Sequence, residues 1–357
     1  MKKNKNSITL NNSTRDLDNC TFVKTILMII IVFYHSILFW KNDWFIQIGQ
    51  PVYQAPAMRV AAIWLSTFHT QTFTLVSGYI YYFLKFERNR YDKRKSFILN
   101  KTKRLLVPYL FVSVIWVVPF YELFSGSTPA ELFFKYALGE SPSQLWFLLM
   151  LFNVFLIVDV LSPFVFRNIW IGSSIVLVLY LTGLVGDHFL PNYFQIFTAF
   201  KYFAFFYIGA LFRKYDLLSK IHFKSILFGT IVNVGLFLLY IYYIDNKEPL
   251  INKLIYSSTG FLLNTSGSAI CFWLFQKIAD KINYRQSKAF GALSKNSMGI
   301  YLFHEQIMYF SVFYLNGVVG PYTNAAVNFI VSLILSLAIS NAMLKYKPTR
   351  FLIGENK

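Results

Sequence analysis

Long apolar runs, separated by short loops rich in polar and basic residues, recur along the chain from residue 20 to residue 344. A bilayer core of about 30 Å needs about 20 mostly apolar residues for each crossing helix. The pattern therefore predicts an all-α, polytopic membrane protein with about ten transmembrane helices. The predicted helices lie at 21–40, 58–84, 105–121, 144–161, 168–184, 200–212, 224–244, 256–276, 290–315 and 323–344. The sixth is the weakest and has an alternative start near Asn192.

Composition and charge sharpen this prediction. Of the 357 residues, 56% are hydrophobic and only 14% are charged, which is more apolar than a soluble domain. The net charge of +18 does not indicate nucleic acid, because the Lys and Arg residues lie in short loops between the apolar runs. With the N-terminus inside, 28 of the 34 Lys and Arg residues fall on the inner side, as the positive-inside rule requires. Both termini are expected in the cytoplasm, and no nucleic acid is expected as a partner.

The predicted organisation is a cytoplasmic tail at 1–20, one transmembrane domain at 21–344 and a cytoplasmic tail at 345–357. The first apolar run follows a basic tail, as in a signal peptide, but it is long and no small-residue cleavage site follows it. We therefore expect a retained first helix. Cys20 and Cys271 lie far apart, without CxxC or Cys/His spacing, so neither a disulfide nor a metal site is predicted.

A few ionisable side chains fall inside the predicted membrane helices. They are His35, His69, His304, Glu305 and, near a cytoplasmic end, Asp159. Each costs several kcal/mol unless it is paired or faces a polar cavity, so each is a candidate functional residue. The alternative for each is a hydrogen bond between helices.

The first helix places Lys24 and His35 on one face, because a separation of 11 positions completes about three helical turns. The two side chains are then about 16 Å apart along the helix axis. One face thus offers a cation near the cytoplasmic surface and a titratable base near the middle of the membrane. Lys24 taken alone also fits an ordinary lysine that extends towards the interface from a helix end.

A second polar concentration is SKNSMGIYLFHEQ at 294–306. Ser297, Tyr301 and His304 lie at i, i+4 and i+7, which places them in one helical stripe, and Glu305 lies about 100° around the helix. Such a stripe is poorly suited to face lipid. It forms either a polar seam between helices or the wall of a water-accessible cavity opposite His35.

Six short motifs along the chain resemble those of the acyltransferase family 3 membrane proteins. They are the Lys24 to His35 spacing, FTLVSGY at 73–79, RLLVPYL at 104–110, QLWFLLMLF at 144–152, FFYIGALF at 205–212 and NSMGIYLFH at 296–304. Lys24 replaces the commoner Arg and so lacks the planar fork that binds phosphate through two hydrogen bonds. No SGNH-type hydrolase domain is expected after the last helix, so acceptor modification is expected within the membrane domain or with a partner protein.

The resemblance implies an O-acyltransferase of the bacterial cytoplasmic membrane. Its donor would be acetyl-CoA or another acyl-CoA, and its acceptor a hydroxyl of a cell-surface polysaccharide or a lipid-linked precursor. No permanently bound cofactor is expected. The expected partners are acyl-CoA, the glycan acceptor, membrane lipids and other proteins of polysaccharide biosynthesis.

The resemblance, together with the depth and predicted position of each residue, leads to expected roles, with alternatives left open. The expected catalytic residues are His35 as base with His304 and Tyr301, although the two histidines can exchange roles. Lys24, Lys103 and Arg104 are the expected contacts of the donor phosphates. Ser77, Trp146 and Glu305 are the expected substrate contacts, and Ser77 is also a candidate acyl-accepting nucleophile.

A different class of function also fits ten helices with a polar seam. An exporter or flippase of polysaccharide intermediates would use the seam as a translocation path. Coenzyme A discriminates the two, because only an acyltransferase needs to bind acyl-CoA and to use His35. A signalling protein is disfavoured because it would not require the Lys24 to His35 spacing.

Overall fold

A computed structural model describes residues 2–42, 44, 49–141, 143–246 and 250–355, and this part of the chain is helical without strands. The helices are α1 (Lys2–Leu38), α2 (Pro56–Ser66), α3 (His69–Tyr82), α4 (Arg94–Ser125), α5 (Pro129–Ala137), α6 (Trp146–Val165), α7 (Ile169–Phe189), α8 (Ile196–Lys214), α9 (Leu217–Lys220), α10 (Phe223–Ile244), α11 (Leu250–Lys281), α12 (Lys288–Leu315), α13 (Pro321–Met343) and α14 (Lys347–Leu352).

The all-α, polytopic prediction is confirmed. Within the described part of the chain, seven helical segments are long and apolar enough to cross a membrane, and these are Leu17–Lys41, Arg94–Ser125, Trp146–Val165, Ile169–Phe189, Tyr193–Lys214, Phe223–Ile244 and Pro321–Met343. Together with α2–α3, α11 and α12, helix lies at all ten predicted positions. The number of membrane crossings stays a prediction.

The helices and the predicted segments differ at several ends. Helix α1 begins at Lys2 and so extends through the predicted tail at 1–20. Helix α8 begins at Ile196, after a turn at Tyr193–Gln195, close to the alternative start near Asn192. The short helix α5 lies between two predicted spans. It begins with a capping box, in which the Thr128 and Glu131 side chains accept hydrogen bonds from each other's backbone N–H groups.

The second predicted span, at 58–84, is broken into α2 and α3 at Thr67 and Phe68. The break replaces α-helical hydrogen bonds by tighter ones, in which the N–H groups of Thr67 and Phe68 donate to the carbonyls of Trp64 and Leu65 at 3.1 and 3.3 Å, and polar side chains add further donors. Ser66 donates to the carbonyl of Ile63 at 2.7 Å, and Thr67 donates to that of Trp64 at 2.6 Å. A broken helix is tolerated at membrane depth only when such partners are present.

Helices α3 and α8 cross at two glycines, which belong to the FTLVSGY and FFYIGALF motifs. A Cβ on Gly78 would lie 1.9 Å from the carbonyl oxygen of Phe206, and a Cβ on Gly209 would lie 1.8 Å from that of Leu75. The backbones can approach this closely only because neither residue has a side chain. The two motifs therefore include the contact residues of one helix crossing.

Helix α1 lies at the centre of the bundle and packs against α2, α3, α11, α12 and α13. Helix α10, in contrast, packs mainly against α11. Its large apolar side chains, among them Phe228, Ile231 and Leu238, are exposed. The first helix, which carries Lys24 and His35, is therefore surrounded by protein, and α10 presents an apolar surface suited to lipid.

Ion pairs join loops that the charge pattern assigns to the same side of the membrane. The pairs on the predicted inner side are Arg15–Asp280, Arg285–Asp18, Arg213–Glu87 and Arg94–Asp159, and those on the predicted outer side are Arg59–Asp245 and Lys201–Asp187. This agrees with the alternation of the loops, and the cytoplasmic location of the termini stays a prediction. Asp43, Lys247 and Glu248, assigned to outer loops, and Lys357 of the inner set lie outside the described residues.

Candidate active site

Two histidines from distant parts of the sequence meet inside the bundle. Nδ1 of His35 lies 2.7 Å from Nε2 of His304, and the ring centroids are 4.9 Å apart. His35 is 5% exposed and His304 is completely buried. The contact is a hydrogen bond between α1 and α12, so the structure brings together the two histidines that the sequence selected.

The backbone of α12 determines which nitrogen of each ring carries a proton. Nδ1 of His304 lies 3.0 Å from the carbonyl oxygen of Ile300 and 2.9 Å from that of Tyr301. A carbonyl oxygen only accepts, so Nδ1 of His304 is a donor and its Nε2 is an acceptor. Nδ1 of His35 therefore donates to His304, which leaves Nε2 of His35 as the unprotonated nitrogen of a neutral ring.

A third histidine, His69, lies near this pair at the start of α3. The Tyr34 ring lies between the two, with its centroid 4.6 Å from that of His69 and 5.1 Å from that of His35. A positive charge on His69 would act on His35. Nδ1 of His69 donates to the carbonyl of Leu65 at 2.6 Å, so His69 adds a side-chain donor at the break between α2 and α3. Among the described residues, no cluster of His, Cys, Asp or Glu is suited to hold a metal ion.

Gln144, just before α6, is bound to α12 beside the histidine pair. Its backbone carbonyl accepts a hydrogen bond from the Tyr301 hydroxyl, and its backbone N–H donates to Glu305 at 2.9 Å. Its side chain donates to the carbonyl of Leu302 at 2.9 Å and exchanges hydrogen bonds of 2.9 and 3.0 Å with Gln306. Tyr301 and Glu305 thus hold the segment before α6 in place.

The Glu305 carboxylate is completely buried, and both of its oxygens accept hydrogen bonds from protein groups. One oxygen accepts from the backbone of Gln144, and the other accepts from the Tyr309 hydroxyl at 2.7 Å. A buried carboxylate needs such donors. The predicted role of Glu305 in substrate binding stays a prediction, and in this structure the residue connects α12 to the segment before α6.

Ser77 lies on α3, which packs against α1, and Trp146 lies just after the Gln144 segment. The Ser77 hydroxyl donates to the carbonyl of Phe73 at 2.9 Å, within α3. Trp146 is the first residue of α6, and its ring centroid is 5.6 Å from that of Tyr202. Their substrate contacts stay predictions.

Lys24, Lys101 and Arg104 form a group that we call the cation cluster. Lys24 is partly buried, and the charges of Lys101 and Arg104 lie close enough to repel each other and that of Lys24. In the part of the chain that the structure describes, none of the three forms an ion pair within 4 Å. Three neighbouring cations without a direct counter-ion form an electrostatic site for an anion.

The Lys101 ammonium group is held by aromatic rings. It lies 3.6 Å from the ring centroid of Phe155 on α6, and 5.4 and 5.6 Å from those of Phe97 and Tyr91. Cation–π contacts of this kind orient an ammonium group without neutralising its charge. The three rings therefore fix the position of the Lys101 ammonium group beside Lys24 and Arg104.

A family model for an acyltransferase domain, that of acyltransferase family 3, matches residues 17–344. This chain belongs to the acyltransferase family 3 proteins. The match covers nearly the whole chain, including Lys24, the histidine pair and the cation cluster. No match was found among the curated proteins or the solved structures. The protein is therefore a multi-pass membrane acyltransferase.

The donor contacts predicted for Lys24, Lys103 and Arg104 stay predictions. Arg104 lies close to Lys24, whereas Lys103, on the same π-helical turn Thr102–Leu106, has no described contact with Lys24. Lys101, which the sequence analysis did not select, takes part instead. Tyr91 and Phe97 lie close to Lys101 in sequence, so the sequence could have indicated their contacts with its ammonium group. Phe155 lies on another helix, so its contact with Lys101 could not be predicted.

Gln144 is the other residue that sequence analysis passed over, although it opens the QLWFLLMLF motif. Its contribution comes mainly from its backbone, which bonds Tyr301 and Glu305. A residue type does not report where its backbone N–H and carbonyl point. The motif is recognised by its apolar residues, whereas the residue that bonds α12 is the glutamine at its first position.

Proposed function

We propose that this protein is an O-acyltransferase that moves an acyl group, most simply acetyl, from acyl-CoA to a hydroxyl of a cell-surface polysaccharide or its lipid-linked precursor. The observation that carries the proposal is the buried hydrogen bond between His35 and His304. It orients an unprotonated nitrogen on the same helix that carries Lys24. We further propose the bacterial cytoplasmic membrane as its location and proteins of polysaccharide biosynthesis as partners.

In the proposed reaction, Nε2 of His35 takes the proton of the acceptor hydroxyl. The hydroxyl oxygen attacks the thioester carbonyl carbon, so that a C–O bond forms and a tetrahedral intermediate results. The intermediate collapses as the C–S bond breaks, and the coenzyme A thiolate takes the proton back from His35. General base catalysis of this kind contributes about 10²- to 10⁴-fold in rate.

His304 supports His35 in two ways. Its Nε2 lone pair holds the Nδ1–H of His35, which keeps the ring in the tautomer that a base requires. The same lone pair stabilises the imidazolium that forms when His35 takes a proton, as the third group of a catalytic triad does. These contacts favour His35 over His304 as the base.

The donor site is proposed at the cation cluster. The phosphates of coenzyme A carry several negative charges and bind groups such as Lys24, Lys101 and Arg104 through charge-assisted hydrogen bonds. The predicted position of the cluster near the cytoplasmic surface suits a cytoplasmic donor. Lys103 is kept as a peripheral contact of the same site.

The other predicted site residues are kept as proposals for the acceptor side. Tyr301 and Glu305 fix the segment before α6, and Trp146 directly follows that segment, where an aromatic face can stack on a sugar. Ser77 remains a candidate for stabilising the oxyanion or for accepting the acyl group. Direct transfer with His35 as base needs no acyl-serine intermediate.

Thiol release by purified protein in nanodiscs tests this function. We expect coenzyme A release from acetyl-CoA, faster when a cell-envelope glycan lipid is present, and we expect comparison with succinyl-CoA to identify the preferred acyl group. Lys24→Ala should raise the KM for the donor because one cation of the donor site is lost. A protein that neither binds nor consumes any acyl-CoA would instead favour the exporter or flippase.

A further inference from the structure

The C-terminal segment of the chain turns back onto the bundle after α13. The Arg350 guanidinium on α14 donates to the carbonyl of Leu344 through Nη2 at 2.7 Å and through Nε at 3.2 Å. This pair of bonds fixes the reversal between the two helices. Ile353, just after α14, is completely buried in the largest apolar cluster that the described residues form. The segment is therefore an integral part of the fold.

Gly354 places this segment against the helix that carries Arg104. Its φ of +78° lies in the left-handed region that favours glycine. A Cβ at this position would lie 2.7 Å from the carbonyl oxygen of Arg104 and 2.8 Å from Cγ of Pro108. The backbone of the C-terminal segment thus lies directly on α4 at the cation cluster.

The next residue, Glu355, brings a negative charge to this place. Its backbone N–H donates to the carbonyl of Arg350 at 3.0 Å, which holds the residue close to α14. Its carboxylate is close enough to Lys24 for the two charges to attract each other, although they form no direct ion pair. In the described part of the chain, Glu355 is the only carboxylate whose charge acts on Lys24.

We infer that Glu355 is a resident counter-ion of the cation cluster, which the phosphate groups of the donor displace when acyl-CoA binds. The inference rests on the proposed function, because it assigns the anion of that donor site. The packing of Gly354 on Arg104 keeps the carboxylate at the cluster in the free protein. Each binding event of the donor then breaks the attraction between Glu355 and Lys24, and Glu355 sets how tightly acyl-CoA is held.

Titration of the full-length protein with coenzyme A tests this inference. Glu355→Gln keeps the size and hydrogen-bonding capacity of the side chain but removes the competing charge. We expect the Kd for coenzyme A to fall roughly threefold, the scale of one partly exposed charge pair, and the KM for acetyl-CoA to fall with it. The effect should shrink at high salt because the charges are then screened. Asp216→Asn is the matched control, since Asp216 is a carboxylate predicted on the same side that has no described contact with the cluster.

Lys24→Ala in the same titration separates the two claims. If Lys24→Ala leaves coenzyme A binding unchanged, the proposed donor site is wrong, and the inference falls with it. If Lys24→Ala weakens binding while Glu355→Gln behaves like Asp216→Asn, only the counter-ion inference is overturned. Weaker coenzyme A binding in Glu355→Gln would also overturn it, because Glu355 would then support the donor site instead of competing for it.

Discussion

At the scale of single residues, the proposed chemistry depends on how His304 is held. Both of its ring nitrogens are engaged, Nδ1 with two carbonyls of its own helix and Nε2 with His35. The sequence identified both histidines from their depth and spacing. It left their roles open, because the donor and acceptor nitrogens depend on side-chain rotamers and on the position of α1 against α12, which no sequence pattern reports.

Replacement of His304 tests the assigned roles. We expect His304→Ala to lower kcat about 10²-fold, because His35 loses the acceptor that fixes its tautomer and stabilises its charged form. The KM for acetyl-CoA should change little, since the cation cluster is untouched. His222→Ala, which alters an exposed histidine, is the control for steady-state kinetics. A large rise in KM with kcat unchanged would contradict the role given to His304.

Glu305 offers a prediction about stability at the same scale. In Glu305→Ala the Gln144 N–H and the Tyr309 hydroxyl both lose their acceptor, at a cost of about 1–3 kcal/mol for each buried group. Glu305→Gln keeps an oxygen for the Gln144 N–H and gains an amide that can donate to Tyr309. The melting temperature in detergent should therefore drop clearly in Glu305→Ala and only slightly in Glu305→Gln. Equal losses in the two variants would show that the network contributes little.

The positions of the helices were predictable from the sequence, but the break within the second predicted span was not. Apolar runs placed helix at every predicted span, because lipid demands continuous apolar length. The break between α2 and α3 was missed, because the same Ser, Thr and His residues can bond within a continuous helix or satisfy carbonyls at a break. Packing against neighbouring helices decides between these outcomes, and hydropathy does not measure it.

The crossing of α3 and α8 gives an element-scale prediction. Gly78→Ala places a methyl group 1.9 Å from the Phe206 carbonyl oxygen, so the helices must separate, at a cost of about 1–3 kcal/mol or more. Gly209→Ala should act in the same way. Gly235→Ala on α10 is the matched control, because its Cβ meets nothing within 4 Å. Thermal unfolding in detergent should show a loss in the first two variants alone, and a comparable loss in Gly235→Ala would refute the crossing.

At the scale of the whole molecule, the positive-inside pattern and the ion pairs lead to one arrangement of loops. A cysteine at exposed Ala130 should react with a membrane-impermeant maleimide in intact cells. A cysteine at exposed Lys93 should react only after permeabilisation. The background variant Cys20→Ser/Cys271→Ser removes the two native cysteines, both of which are buried. The reverse labelling pattern would show that the topology is inverted and that the cation cluster lies on the side away from cytoplasmic acyl-CoA.

The most direct test of the whole account is coenzyme A release by His35→Ala beside the wild type. The account predicts steady release by the wild type, stimulated by glycan lipid, and a loss of about 10²-fold or more in His35→Ala, with coenzyme A binding retained. Retained binding would show that the variant is folded and has lost only the base. If a folded His35→Ala protein released coenzyme A at the wild-type rate, this would contradict the central claim that His35 is the base of an acyl transfer.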